Sequence, residues 1–509
     1  MHKHPNRKRA ADRISHKRTL LFCALSAVLA TAPFNALAAA APTDGAALRA
    51  ELHQHYPSLD WVARYRAAYP AEAQGDDALW RGATAPALDT PGALVDALVA
   101  LQDQHVALAG KQESLGVLFR TSSDGAMAVW RHVDPAVTAL RDGDLVLAVD
   151  GQPVAQWLAQ AARHTFGGNR RSRMAEAALK LGVSTPFDHA VAGLAKTVRL
   201  RVQGVDGATR AVALPYRPVD APFGAALAQA VERSDLPDLV HAHGYRVGIV
   251  RFGAFAPQYD AAFNAAAAAA DLPGASKDGP MLAGFCAIVR HRLAAIDALA
   301  ARSDLLVIDV RGNLGGFGRE ARLLARALTD RSLPDTYDVF PGSAPGRLKL
   351  VKQDDDPACG TLATPRPLVV WTDAGTRSGG EFMAAWLWAA GAIAVGERTI
   401  GAGGGRDAEA GGFQLPQSGL RVKYSGNFSV FDNGAAIKAG EAAESTLLDL
   451  VAQDGFAPSR TRPFAIQSAG LRPDVPLPTT AADLRDGGAA ALDRLVGQLK
   501  QRKLLPPPR

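Results

Sequence analysis

Residues 304–320 read DLLVIDVRGNLGGFGRE, residues 367–387 read PLVVWTDAGTRSGGEFMAAWL, and residues 392–405 read AIAVGERTIGAGGG. The first piece is a short apolar run, 305–310, that ends in a Gly-rich turn and leads into a helix over 319–328. The second repeats the layout: an apolar run at 368–372, a polar turn, and a helix that opens near Ser378. Consecutive strand–turn–helix units build an α/β sheet whose turn residues gather at the carboxyl ends of the strands, where such sheets place their sites. Ser378 then falls at or just before a helix start, with the amides of Gly379 and Gly380 unpaired and pointing outward. A serine in that place has two readings. It is a favoured N-cap, bonding an amide two or three residues on, or it is an acyl-transfer nucleophile beside donors for an oxyanion.

The chain has 509 residues, enough for two or three domains. Its start stands apart. Lys3, Arg7, Lys8, Arg9, Arg13, Lys17 and Arg18 precede an apolar run at 20–32 and the small-residue segment Asn35-Ala36-Leu37-Ala38. Residues 1–38 therefore read as a secretory signal peptide, with an uncleaved N-terminal anchor as the alternative. The seven Lys/Arg and one Asp of this leader account for the whole formal net charge of +6. The remainder is near neutral, so charge offers no argument for a nucleic-acid partner. Of the three cysteines, Cys23 lies in the leader. Cys286 and Cys359 would be free to pair in an oxidising compartment, and sequence leaves open whether they do. No later apolar run approaches membrane-spanning length.

The three quoted pieces, taken in order, resemble the tail-specific (C-terminal processing) and tricorn-type serine peptidases. The family pattern is strand-D-x-R-x-N-x-G-G, then T-x-S-x-x-E-F, then V-G-x-x-T-x-G. Here these are Asp309, Arg311, Asn313, Gly315 and Gly316; Thr376, Ser378, Glu381 and Phe382; and Val395, Gly396, Thr399 and Gly401. The resemblance implies a multi-domain α/β protein. Residues 45–112 would form an N-terminal helical domain, and 113–216 a PDZ-like β-rich domain with an insertion. Residues 217–245 would be a connector, and 246–505 an α/β serine peptidase domain with a ClpP/crotonase-like core. The segment 140–151 is similar to the PDZ G-D-x-I-x-x-I-x-G hairpin, and the alternating runs around Gly207 to its closing strands. The basic cluster Arg170–Arg173 reads as a solvated face, with a role in holding a substrate carboxylate as the other reading. Residues 330–365 read as an irregular insertion between the two motif pieces.

A serine nucleophile needs a base and oxyanion donors. In the tail-specific branch a lysine follows T-x-G and serves as base; here Ala402 stands there, so the resemblance points to the tricorn-like solution with a histidine. The L-x-D-x-H segment ending at His105 occupies the place of that base. The glutamate that would steer it is replaced by Gln467, three residues before Gly470 in G-x-x-P-D. A glutamine amide holds a tautomer but does not offset imidazolium charge. Asp103 and Glu444 are the other carboxylates weighed for that place. The oxyanion donors carried over are the amides of Gly379 and Gly315, and Glu381 reads as structural. His241 and His243 lack a nearby third ligand, and neither a metal nor a cofactor is expected.

The expectation is an exported serine endopeptidase, periplasmic or extracellular. It would act on unfolded or C-terminal segments of proteins, with a PDZ groove that takes a peptide by strand addition, and with oligomerisation left open. Two other readings stand beside it: a non-catalytic PDZ-type peptide binder whose triad has decayed at Gln467, and a hydrolase of a small acyl substrate.

Overall fold

The strand Leu305–Asp309 is buried along its whole length, and its side chains show why a parallel sheet forms around it. Leu306 and Ile308 point into one apolar cluster and Leu305 and Val307 into another. A strand covered on both faces needs a continuous apolar run. In this computed structural model, which describes residues 42–82, 88, 90–270, 279–353, 355–405 and 412–508, the sheet runs in the order Leu239–Ala242, Tyr245–Arg251, Leu305–Asp309, Leu368–Thr372, Ile393–Gly396, Val475–Pro476. The first pair is antiparallel and the rest are parallel. One face is covered by the helices Gly279–Arg302, Gly318–Leu328 and Gly379–Ala389, and the other by Ala489–Gln501. The leader lies outside the described residues. Residues 42–509 make one compact unit.

The segment read as an irregular insertion, 330–365, instead supplies two strands, Asp335–Pro341 and Arg347–Lys352, paired with each other. Their period-2 alternation (Tyr337 and Val339, then Leu348 and Leu350 inward) is masked in the sequence by the intervening Gly and Pro residues. They join Gly404–Gly405, Asn427–Asp432 and Gly440–Ala443 in a second, antiparallel sheet. The N-terminal helices pack on this sheet: Leu48, Leu52, Trp61 and Tyr65 share a cluster with Phe428 and Val430. Residues 217–245 are more than a connector, since they hold the helix Ala221–Glu232 and the edge strand Leu239–Ala242.

A third sheet, Val117–Thr121, Met127–His132, Leu145–Val149, Thr197–Gln203 and Thr209–Pro215, forms the β-rich lobe. The hairpin at Gly207 pairs its last two strands in full register. The helix Arg170–Gly182 lies against the edge strand Val117–Thr121 so closely that a Cβ on Gly182 would meet the Val117 carbonyl at 2.3 Å. The basic cluster that opens this helix is not a solvated face. Arg171 pairs with Glu397 and donates to Thr121 Oγ1 and to the Thr121 carbonyl, and Arg173 is buried. The planar guanidinium fork suits such paired contacts, and Arg171 takes its acceptors from the lobe at Thr121 and from the peptidase domain at Glu397.

Cys286, in the helix Gly279–Arg302, is bonded to Cys359 across 73 residues. This cross-link fastens the end of the second-sheet excursion to the helical layer. Replacing both cysteines with serine should cost about 2–4 kcal/mol of unfolding free energy, measured by urea titration of the oxidised wild type against the double variant. Unchanged midpoints would mean that the cross-link restrains nothing in the unfolded chain.

Candidate active site

The turn after Leu305–Asp309 and the turn after Leu368–Thr372 interlock before either reaches its helix. Asn313 is the joint: its Nδ2 donates to the Phe252 carbonyl at 2.9 Å, its Oδ1 accepts from the Gly315 N–H at 2.7 Å, and its backbone carbonyl accepts from the Arg377 N–H at 3.2 Å. The Asp309 carboxylate holds Arg311 through two side-chain bonds, both 2.9 Å, and the Arg311 guanidinium lies 3.5 Å from the centre of the Trp371 ring. Burial pushes the Asp309 carboxyl up, but Arg311 and Arg251 outweigh it and hold the group well below the usual range. Thr376 closes the second turn by donating to the Val310 carbonyl at 2.9 Å.

Ser378 follows with φ 47° and ψ −120°, a conformation that costs an L-residue about 1–3 kcal/mol and persists only where its surroundings impose it. The helix Gly379–Ala389 starts immediately after it. The bend throws the hydroxyl out of the capping position and into a cavity of about 630 Å³ that His105, Gly316 and Trp386 also line. His105 Nε2 lies 3.2 Å from Ser378 Oγ. His105 reaches this point because the helix Pro91–Val99 ends in a turn at Gln102, φ 47°, whose Nε2 donates to the Gly168 carbonyl at 2.8 Å.

The surroundings of His105 differ from expectation. Gln467 is buried beneath the turn containing Gly401 and Gly403, and its side chain makes no hydrogen bond to His105 among the described residues. Its backbone carbonyl accepts from Trp61 Nε1 at 2.7 Å. Facing the other ring nitrogen of His105 is Asp103, with Oδ1 3.6 Å from Nδ1. The same oxygen accepts the His105 N–H at 2.9 Å, and Oδ2 accepts the Tyr56 hydroxyl at 3.0 Å. Burial pushes the Asp103 carboxyl up, yet the hydrogen bonds and charge of His105 outweigh it and leave the group below its ordinary value. The D-x-H spacing carried this signal, because it folds the carboxylate back onto the histidine's own amide. Glu444 opens the helix Glu444–Val451, where the charges acting on it are Asp60 and Arg64 rather than His105.

The expected oxyanion donors also divide. Gly379 is the first residue of its helix, and its N–H has no acceptor among the described residues. The Gly315 N–H is already spent on Asn313 Oδ1, whereas the N–H of Gly316, which lines the cavity, has no acceptor among the described residues. Gly315 is a glycine for another reason: a Cβ there would meet the Ser378 Cβ at 2.8 Å, at a φ of 80°. Glu381 does more than suit the start of its helix. Its carboxylate accepts from the Ser378, Gly401 and Ala402 N–H groups and from Thr399 Oγ1. Of the two histidines of 241–243, His243 sits at a tight turn with Nε2 3.3 Å from Asp493, remote from this cavity's lining.

The family model described as Peptidase family S41 matches residues 289–440, the segment that carries both interlocked turns and Ser378. No curated protein matches the chain in sequence. Among solved structures, mature CPAF complexed with lactacystin is 17% identical with a TM-score of 0.54, the match covering 90% of this chain and 98% of that one. A serine-to-alanine mutant of CPAF gives 17% and 0.55 over 90% and 96%. The photosystem II D1 C-terminal processing protease gives 18% and 0.35 over 86% and 98%. At these identities the structural matches speak for the fold, and the family match speaks for the domain that holds the serine. The segment 289–440, which holds Ser378, thus matches peptidase family S41, and that match supports a serine-type peptidase.

Proposed function

We propose that the protein is an exported endopeptidase in which Ser378 attacks the scissile carbonyl, His105 is the base and Asp103 orients it. The observation that carries this reading is the 3.2 Å contact between His105 Nε2 and Ser378 Oγ, within the reach a general base needs. For Nε2 to accept the serine proton, the ring's own hydrogen must sit on Nδ1, the nitrogen that faces Asp103. As the proton moves, the imidazolium gains a carboxylate at 3.6 Å, a charge that Gln467 does not supply. The carbonyl oxygen, turning anionic, is met by the Gly379 N–H at the helix start and by the Gly316 N–H, both donors that need no reorganisation. His105 then returns its proton to the leaving amine, and a water repeats the cycle on the acyl-enzyme.

Export is supported by the basic and apolar leader together with the Cys286–Cys359 bond, which belongs to an oxidising compartment. Unfolded or C-terminal protein segments are the substrates that this reading assigns. The β-rich lobe is the PDZ-like part, and its helix Arg170–Gly182 meets the catalytic frame directly, so peptide held there would act on the site without a long relay.

A fluorophosphonate should label Ser378, and His105→Ala should abolish labelling while His243→Ala leaves it intact; equal labelling of the wild type and His105→Ala would remove His105 from the mechanism. Asp103→Asn should lower kcat by roughly 10²–10⁴, as loss of an orienting carboxylate does elsewhere. Gln467→Met, by contrast, should change turnover only a few-fold; the reverse order of effects would restore Gln467 to the steering place.

The strain at Ser378 yields a separate outcome. Ser378→Gly and Ser378→Ala should both be inactive, but the glycine variant should be the more stable by about 1 kcal/mol, because only glycine adopts this φ freely. Equal unfolding midpoints for the two variants would mean that the bend is not strained.

A further inference from the structure

The cavity that holds Ser378 also holds a carboxylate with no catalytic task. Asp338 lies mid-strand in Asp335–Pro341, opposite Ser429 in register, and its side chain projects into that cavity. Two neutral groups that also line it fix its position: Ser429 Oγ donates to Oδ1 at 2.7 Å and Gln353 Nε2 donates to the same oxygen at 3.0 Å. No described Lys or Arg forms an ion pair with Asp338. Among the described residues that line the cavity, Arg377 is the one Lys or Arg, and it is paired with Glu176 at 2.5 Å. Arg322 acts on Asp338 only through its longer-range charge and is bonded to Asp355 at 3.2 Å. Phe382 and Trp386 form apolar wall in the same cavity.

We propose that Asp338 sets substrate preference by receiving the cationic side chain of a Lys or Arg residue that flanks the scissile bond. The inference rests on the reading of Ser378 as the peptidase nucleophile. An aliphatic stem packs along the two aromatic rings, as long basic side chains do when only their heads stay polar, and the ammonium or guanidinium ends on the carboxylate. The carboxylate, held by the neutral side chains of Ser429, Gln353 and Asn427, accepts it. A buried carboxylate held only by neutral donors is a poor resting arrangement, because desolvation disfavours its charge. Burial indeed pushes the Asp338 carboxyl up despite the bonds from Ser429 and Gln353. An arriving cation reverses that penalty, whereas an acidic side chain meets repulsion and an apolar one leaves the penalty in place. The cavity volume lies within the ~300–1,000 Å³ usual for ligand sites.

The test is to digest an unfolded protein mixture with the mature enzyme and map the cleavage sites by mass spectrometry. Lys or Arg should be enriched at one of the two positions flanking the cut. On matched synthetic peptides, the ratio of kcat/KM for Arg over Leu at that position should be about tenfold or more. Asp338→Asn, which keeps the shape and can still accept from Ser429, should bring that ratio close to one. An alkylguanidinium should compete with peptide in the wild type, an outcome that stands even if the variant fails to fold. Cleavage without basic enrichment, or an unchanged ratio in a folded Asp338→Asn, would overturn the assignment of Asp338 alone. Fluorophosphonate labelling of Ser378 with no peptide cleavage would overturn the peptidase reading on which it rests.

Discussion

Four donors converge on the buried carboxylate of Glu381: the Ser378, Gly401 and Ala402 N–H groups and the Thr399 hydroxyl, at distances from 2.5 to 3.1 Å. Burial pushes this carboxyl up, but an array made only of donors suits the ionised form. The consequence is mechanical. The amide of Ser378 and the turn 399–402, which come from different strands, are fastened to one rigid group. Ser378 cannot relax out of its strained bend without giving up a bond to this buried carboxyl group, a cost of the same order as the strain itself. The same turn then organises its other neighbours, since the Ile400 carbonyl accepts from the Gly168 N–H and the Gly401 carbonyl from the Ser468 N–H.

Through Gly168 the constraint extends into the β-rich lobe. A Cβ at Gly168 would lie 2.1 Å from the Ser468 carbonyl, so only glycine lets the lobe's segment pass between the turn at Gln102 and the turn at Ser468. Asn169 Nδ2 donates to the Thr399 carbonyl at 2.9 Å, Arg171 pairs with Glu397, and Glu176 pairs with Arg377 next to the nucleophile. Glu176 also accepts from Gln104, the neighbour of His105, at 3.5 Å. One helix of the lobe thus touches the residues adjoining both members of the Ser378–His105 pair. Separating its buried guanidinium and carboxylate groups from their partners leaves unpaired charge inside, so the lobe's seating and the geometry of the pair are one packing problem.

The division of labour among Asp103, Tyr56 and Gln467 follows from the same crowding. Trp61 fixes the Gln467 backbone, the Tyr56 hydroxyl takes one Asp103 oxygen, and the other oxygen is left for His105. The histidine is thereby oriented by a carboxylate two residues away on its own loop, which costs little loop-closure entropy.

How much could be read in advance follows the reach of each signal along the chain. The runs at 305–310 and 368–372 and the helix start at Ser378 were legible because apolar periodicity and turn residues act between near neighbours. Ser378 and His105 were named through the resemblance of their segments to the motifs of a known family. The strands inside 330–365 were not legible, because their pairing with Asn427–Asp432 is what makes them strands. Nor were the buried state of Arg173 or the bond between Cys286 and Cys359. Each depends on which groups arrive at one point from distant parts of the chain. A desolvated charge or amide takes whatever partner is within about 3 Å, and only the packed tertiary structure determines which partner that is.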